Sequence, residues 1–353
     1  MKSFHCTHCQ TLVFFENVRC LHCGHALAYL PARAEMAAIE QGADELWRPE
    51  GKVDATEVYR RCANYEQHDV CNWAVASEAA SPYCESCRLT RTIPDLSRPE
   101  NKTAWYRLEV AKRRLIYTLM ALDLPLVTKS QPNDAGLAFD FLEDASGGDR
   151  ARVLTGHDNG LITINIAEAD DVQREQQRLQ QHEPYRTVLG HFRHEIGHYY
   201  WDRLISGGPR EAGFRELFGD ERVDYQHALQ VHYSNGPQAG WVDRFISAYA
   251  SSHPWEDWAE SWAHYLHMID TLEIAGSAGL SLRPPRADEP SMAPPPAEVT
   301  KRLAFDQMIE DWVALTYVLN SLNRGLGLAD SYPFVLSDAV VAKLHFVHET
   351  INA

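Results

Sequence analysis

The stretch Gly190 to Asp202 reads GHFRHEIGHYYWD, and inside it His194-Glu195-Ile196-Gly197-His198 has the pattern His-Glu-x-x-His. Residues four apart share one face of a helix, so His194 and His198 can turn their imidazoles toward a single ion. Zinc suits imidazole ligands, and a catalytic zinc takes three protein ligands and keeps one position for water. Such an ion lowers the pKa of its water toward ~7, and the neighbouring Glu195 is placed to take the proton as the water attacks a carbonyl. The implied chemistry is amide hydrolysis. Thr187, Val188, Leu189, Phe192 and Ile196 form an apolar stripe, Pro184 stands where a helix can begin, and Gly207-Gly208-Pro209 stands where it ends. His191, one turn before His194, is expected outside the ligand set.

A third ligand is sought downstream, in AYASSHPWEDWAESWAHYLHM from Ala248 to Met268. Ser251 or Ser252 can cap a helix there, Pro254 sits near its first turn, and Glu256 and Asp257 favour its N-terminus. Glu256, Glu260 and His264 are spaced four apart and share a face. A polar face in a Trp- and Ala-rich helix needs a partner, and an ion at His194 and His198 supplies one. Spacing alone leaves all three open as the ligand. Asp202, four residues past His198, is a candidate acceptor for orienting that imidazole or a surface ion-pair partner.

All eight cysteines fall within the first 87 of 353 residues. Cys6, Cys9, Cys20 and Cys23 form two Cys-x-x-Cys knuckles, and the intervening TLVFFENVR can make a hairpin that closes a four-thiolate zinc ribbon. His5, His8, His22 and His25 flank these knuckles and are expected to be exposed. Cys62, Cys71, Cys84 and Cys87 form a second candidate zinc site, with His68 as a possible substitute ligand. Between the groups the Ala- and Glu-rich PARAEMAAIEQGADELWRPEG, Pro31 to Gly51, reads as a short helix or linker.

The run IPDLSRPENK, Ile93 to Lys102, reads as a domain linker, and Thr103 to Leu122 as a long helix whose Lys112-Arg113-Arg114 faces solvent. Ala138 to Leu142, Arg150 to Thr155 and Leu161 to Ala169 are strand-like, with turns at Ser146–Asp149 and Gly156–Gly160. Such a small sheet beside the His-Glu-x-x-His helix can offer an edge strand to an extended substrate, or simply cover the helix. Asp170 to His182 reads as a polar helix. Glu216, Asp220, Glu221 and Asp224 read as surface ion pairs, Arg283 to Pro296 as an exposed proline-rich loop, and Phe305 to Leu322 and Leu336 to Ile351 as amphipathic helices.

The combination of His-Glu-x-x-His with Tyr-x6-Glu-x2-Ala-Glu resembles the lethal-factor-like branch of the gluzincins, and the same spacing occurs in the Mlc titration factor A family. That resemblance implies Glu256 as the third ligand, Glu260 behind it, and Tyr249 facing the reacting carbonyl, where its hydroxyl would steady an oxyanion. The residue pattern also accommodates Tyr249 as a core tyrosine. As a whole the chain resembles a group of bacterial zinc-ribbon-containing zinc metallopeptidases. The resemblance implies an α+β chain, with a mostly helical zincin-type domain and small sheet at 99–353, a ribbon at 1–30 and a second four-cysteine module at 50–98. The two cysteine groups and the His-Glu-x-x-His helix together predict one catalytic and two structural zinc ions.

A net charge of -16 argues against general nucleic-acid binding, and neither a signal-peptide run nor a membrane-length apolar run is present in the sequence. The expectation is a cytoplasmic peptidase acting on peptides or proteins, its ribbons contacting a protein partner. The rival reading is a catalytically weak zincin-fold regulator or adaptor that binds a protein or nucleic acid through those ribbons.

Overall fold

The computed structural model describes residues 2–50, 57–131, 134–144, 153–171, 174, 187–294 and 303–353. Strands dominate its first part and helices its second, giving an α+β chain. Strands β1 (Phe4–His5) and β2 (Leu12–Val13) pair around the first knuckle, and Arg19 bridges Ala26 around the second. Each knuckle thus has its own small hairpin, in place of one hairpin lying between them.

Pro31 to Gly51 is neither a helix nor a linker. Strands β3 (Ala26–Leu30), β4 (Glu35–Gln41), β5 (Trp47–Pro49), β6 (Tyr59–Arg61) and β7 (Ala74–Ala76) form an antiparallel meander in chain order. Met36, Ala37, Ala38 and Ile39 are buried consecutively in β4. Alanine favours helices in isolation, but a strand covered on both faces needs small apolar side chains on both, and that requirement overrides the propensity. The meander joins the two cysteine groups, since β3 leaves the first and β6 and β7 flank the second.

Beyond the short helix α1 (Ala63–Glu66), strand β8 (Thr90–Thr92) lies parallel to β9 (Ala138–Leu142), β9 parallel to β11 (Leu161–Asn165), and β10 (Gly156–Asp158) antiparallel to β11 at the edge. The expected turn at Gly156–Gly160 shortens to Asn159 and Gly160, both at positive φ (44° and 80°), as a two-residue hairpin turn requires. The turn at Ser146–Asp149 lies outside the described residues. So does Arg150 to Thr155 except 153–155, which is not strand. Of Asp170 to His182, only 170, 171 and 174 are described.

Helix α2 (Pro99–Ala121) begins four residues before the expected start, inside the presumed linker, because Pro99 occupies its first turn. The basic run on it does not face solvent as expected. Lys112 and Arg113 are buried, Lys112 beside Glu109 (2.9 Å) and bonded to Thr90, and Arg113 bonded to Val70 O. The charges are tolerated because each has a partner: burial opposes the Arg113 charge, but Cys71 and Glu109 outweigh it. Arg114 alone is partly exposed, pairing with Glu16 at 2.6 Å.

The second part is built from α3 (Val188–Leu204), α4 (Glu211–Phe218), α5 (Tyr225–Asn235), α6 (Pro254–Ser277), α7 (Phe305–Gly325) and α8 (Asp338–Ile351). The Thr187 hydroxyl caps α3 by accepting from Gly190 N at 2.9 Å. His253, rather than Ser251 or Ser252, caps α6, its Nδ1 accepting from Trp255 N at 3.1 Å. Those serines instead lie in and just after a 3-10 turn at Tyr249–Ser251. Ser337 caps α8, and Lys343 on α8 meets Asp257 on α6 at 2.6 Å. Between Leu282 and Met292, which bridge each other, the chain is largely exposed.

The core centres on the crossing of α3 and α6. A Cβ on Gly197 would stand 3.0 Å from Ala259 Cα and 3.2 Å from Trp262 Cβ, so the two backbones meet there. Trp258 Nε1 donates to Gly197 O at 2.8 Å across the same crossing. Deeper along the helices, Arg193 pairs with Asp270, Thr118 Oγ1 donates to Asp270 Oδ1 at 2.5 Å, and Tyr117 donates to Glu273 at 3.0 Å, which locks α2 to both. Gly197→Val should therefore cost about 1–3 kcal/mol from overpacking, measured by urea unfolding, despite valine's better helix propensity.

Candidate metal centre and active site

Helix α3 presents His194 and His198 on the face turned to α6, and α6 presents Glu256 in its first turn. His194 Nε2 and Glu256 Oε2 are 2.9 Å apart, His198 Nε2 and His194 Nε2 3.2 Å, and His198 Nε2 and Glu256 Oε2 3.7 Å. Bonds of ~2.0–2.2 Å around a tetrahedral zinc imply ligand separations of roughly 3.3–3.6 Å, so the triangle is of the right size. Glu256 is 1% exposed and its Oε2 accepts no hydrogen bond among the described residues. A buried carboxylate oxygen without a donor, facing two imidazole nitrogens, calls for a cation.

The surrounding groups reinforce that demand. Glu260 Oε1 lies 2.8 Å from His194 Nδ1, and Ser247 Oγ donates to Glu260 Oε2 at 2.7 Å. In the neutral form that can ligate a metal, with Nδ1 donating to Glu260, His194 Nε2 carries a lone pair pointing at Glu256. Burial would drive the His194 pKa down, yet Glu256 and Glu260 lift it well above the ordinary histidine value. Burial likewise opposes ionisation of Glu256, but His198 and His194 hold it well below the usual carboxylate range. The pocket favours positive charge between these groups.

Glu260 and His264 thus separate from Glu256. His264 points away, its Nδ1 2.8 Å from the Tyr332 hydroxyl, and is absent from the ligand triangle. Asp202 does not bond to His198 among the described residues, and its Oδ2 lies 3.9 Å from His157 Nε2. His191 pairs with Glu168. Burial pushes the Glu195 carboxyl up, more than His194 and His198 hold it down. The Tyr249 ring stands 5.9 Å from the His194 ring, and burial holds its hydroxyl in the neutral form. The acidic stretch after α4 is committed elsewhere: Arg215 takes Glu221, Arg222 takes Asp220, and Asp224 caps α5 by accepting from His227 N at 2.9 Å.

Two neighbours of the site escape a reading of spacing. Tyr225, first residue of α5, donates its hydroxyl to Glu256 Oε1 at 2.6 Å. His157, on edge strand β10, has its ring 6.2 Å from that of His198 and accepts from Gly160 N at 2.8 Å, while burial lowers its pKa to about 3. Neither lies on a helix that carries the motifs, so no periodicity marks them.

Both cysteine groups have the geometry of four-thiolate sites. Cys6 and Cys23 sulfurs are 3.7 Å apart, Cys9 and Cys20 3.6 Å, and Cys71 and Cys84 3.8 Å, near the ~3.8 Å edge of a tetrahedron with ~2.3 Å zinc–sulfur bonds. All are far too long for disulfides. Cys62, Cys71, Cys84 and Cys87 are fully buried, and backbone N–H groups of Cys84, Cys87 and Trp73 point at sulfurs of Cys62, Cys84 and Cys71, each at 3.4 Å, as thiolates require. His68 instead packs edge-on against Trp105.

A family model described as "Putative zinc-binding metallo-peptidase" matches residues 101–350, and a zinc-ribbon domain model matches residues 3–98. The chain belongs to this metallopeptidase family. Zinc binding by the chain accords with both family models and with the two four-cysteine groups. Uncharacterized proteins of Mycobacterium tuberculosis and Mycobacterium bovis are 43% identical to this family member over all 353 of its residues and 96% of their own length. No solved structure matches it. Among the described residues, no helix is long and apolar enough to cross a membrane.

Glu260→Gln should weaken metal binding at the His194–His198–Glu256 group by about 10–100-fold without unfolding the chain. Competition against a chelator of known affinity, with circular dichroism as the folding control, measures this.

Proposed function

We propose that the chain is a zinc-dependent peptidase of gluzincin type, acting in the cytoplasm on peptides or proteins. His194, His198 and Glu256 would hold the catalytic zinc, and Glu195 acts as the base. The observation that carries the reading is the buried, donorless Glu256 Oε2 facing the two Nε2 atoms beside the Glu of a His-Glu-x-x-His helix. When bound there, zinc would acidify a water and polarise the scissile carbonyl.

The residues divide the remaining work. Glu195 takes the proton of the attacking water and passes it to the leaving amine nitrogen. Glu260 orients His194 through Nδ1, and Tyr225 fixes Glu256 through Oε1. Tyr249, kept neutral by burial, serves as a hydrogen-bond donor to the developing oxyanion. Edge strand β10 offers backbone to an extended substrate. The modules at 1–30 and 50–98 would each hold a structural zinc and meet a protein partner, since a closed four-thiolate site has no position for water.

The test combines composition and turnover. Tightly held zinc should number three per chain and fall to two in a folded His194→Ala/His198→Ala variant. Glu195→Gln should keep all three and lose hydrolysis of a peptide library by about 10²–10⁴-fold. An unchanged count in the double variant, or full turnover in Glu195→Gln, would remove the reading.

A further inference from the structure

His8 and His25 were expected to be solvated, yet both converge on one carboxylate oxygen. His8 Nδ1 lies 2.6 Å and His25 Nε2 3.2 Å from Glu50 Oε2, and the two imidazole rings stack with centroids 3.9 Å apart. The three residues come from different segments: the first knuckle, the residue before β3, and the residue after β5. We propose that His8, His25 and Glu50 form a further binding site for a divalent transition ion of the zinc type, distinct from both four-cysteine groups and from the His194–His198–Glu256 centre.

The backbone holds the donors in place through one strand residue. Ala38 N donates to Thr7 Oγ1 at 2.9 Å, fixing the knuckle that carries His8, and Ala38 O accepts from Glu50 N at 2.7 Å. Ala38 also pairs with Leu27, two residues after His25. The strand that brings the donors together is buried, so their convergence does not depend on loose surface side chains.

Hydrogen bonding then defines what belongs at the centre. His25 Nδ1 stands 3.3 Å from Cys23 Sγ, and the tautomer that donates to this sulfur leaves Nε2 with a lone pair. That lone pair faces Glu50 Oε2, another acceptor. A positive centre reconciles them, and two imidazoles with one carboxylate are the same donor set found at His194, His198 and Glu256. The 3.2 Å separation is close to a tetrahedral edge, while 2.6 Å is a hydrogen-bond length, so His8 swings outward by roughly 0.7–1 Å to admit the ion. Its side chain is 45% exposed and free to do so, and Glu50 is 26% exposed, which leaves room for water to complete the coordination. Such a site exchanges its ion more readily than the buried ones. Filling it ties both knuckles to β5 and so steadies the ribbon against the meander.

The full-length protein, washed with a weak chelator that leaves its tightly held zinc, is titrated with Zn2+ against a competing fluorescent zinc indicator. One further equivalent should bind, with shifts in the imidazole proton signals of His8 and His25. Uptake should weaken at least tenfold in Glu50→Ala and in His8→Ala, and persist in His194→Ala/His198→Ala, which separates this site from the proposed catalytic one. Absence of the further equivalent in the wild type overturns the proposal. So does undiminished uptake in His8→Ala, a variant whose exposed side chain leaves the ribbon's own zinc in place and which therefore remains interpretable if Glu50→Ala loses structure.

Discussion

The approach of α3 to α6 at Gly197 is the constraint on which the centre depends. Only a residue without Cβ lets the α3 backbone come so near Ala259 and Trp262, and the Trp258 indole then reaches the Gly197 carbonyl. At that spacing the polar faces of the two helices meet inside an interface otherwise filled by Trp258, Trp262, Tyr200 and Ile196. Two imidazoles and two glutamates enclosed there carry a heavy desolvation cost unless opposite charge is supplied. The fold thus creates the demand for a cation before any ligand arrives. The Arg193–Asp270 pair further along the same helices satisfies its own charges and leaves no surplus cation to share.

The N-terminal half meets the same requirement differently. Four thiolates around one zinc carry net negative charge, and at the second cysteine group the buried Arg113 of α2 lies close enough for Cys71, Cys87 and Cys84 to favour its charge. Helix α2 is also bonded through Tyr117 and Thr118 to α6, so one helix touches both the cysteine module and the helix that carries Glu256. Strand β8 adds a second tie, running from the cysteine module into the sheet that ends in β10. The ribbon region and the helical region share walls and are not beads on a string.

Local covalent spacing is what the sequence displays best. His194, His198 and the two Cys-x-x-Cys knuckles are legible because each motif is closed within a turn or two of chain, and the face shared by Glu256 and Glu260 is legible for the same reason. Features decided by a distant partner are not. The Met36–Ile39 segment looks helical until β3 and β5 pair along its edges and packing from above and below the sheet covers both faces. Lys112 and Arg113 look solvated because the sequence sets only Glu109 beside them, one turn back on the same helix, while Thr90, Val70 and the cysteines that complete their environment are brought in by tertiary packing. His253 as a cap and Tyr225 as a donor to Glu256 belong to this second class, since serine and carboxylate neighbours carry the stronger local signals.

Glu260 and Tyr225 act on the proposed ligands in opposite senses. Glu260, accepting from His194 Nδ1, pushes electron density into the imidazole and strengthens it as a donor. Tyr225, donating to Glu256 Oε1, withdraws density from the carboxylate and occupies the oxygen that would otherwise make it bidentate. Only Oε2 is left to face the imidazoles. A one-oxygen carboxylate with two imidazoles makes three ligands, the number that leaves a tetrahedral zinc with a position for water. A second carboxylate oxygen would fill that position and add donor density, weakening the ion as a Lewis acid. The tyrosine at the start of α5 therefore bears on whether this centre can be a reactive site or only a closed structural one.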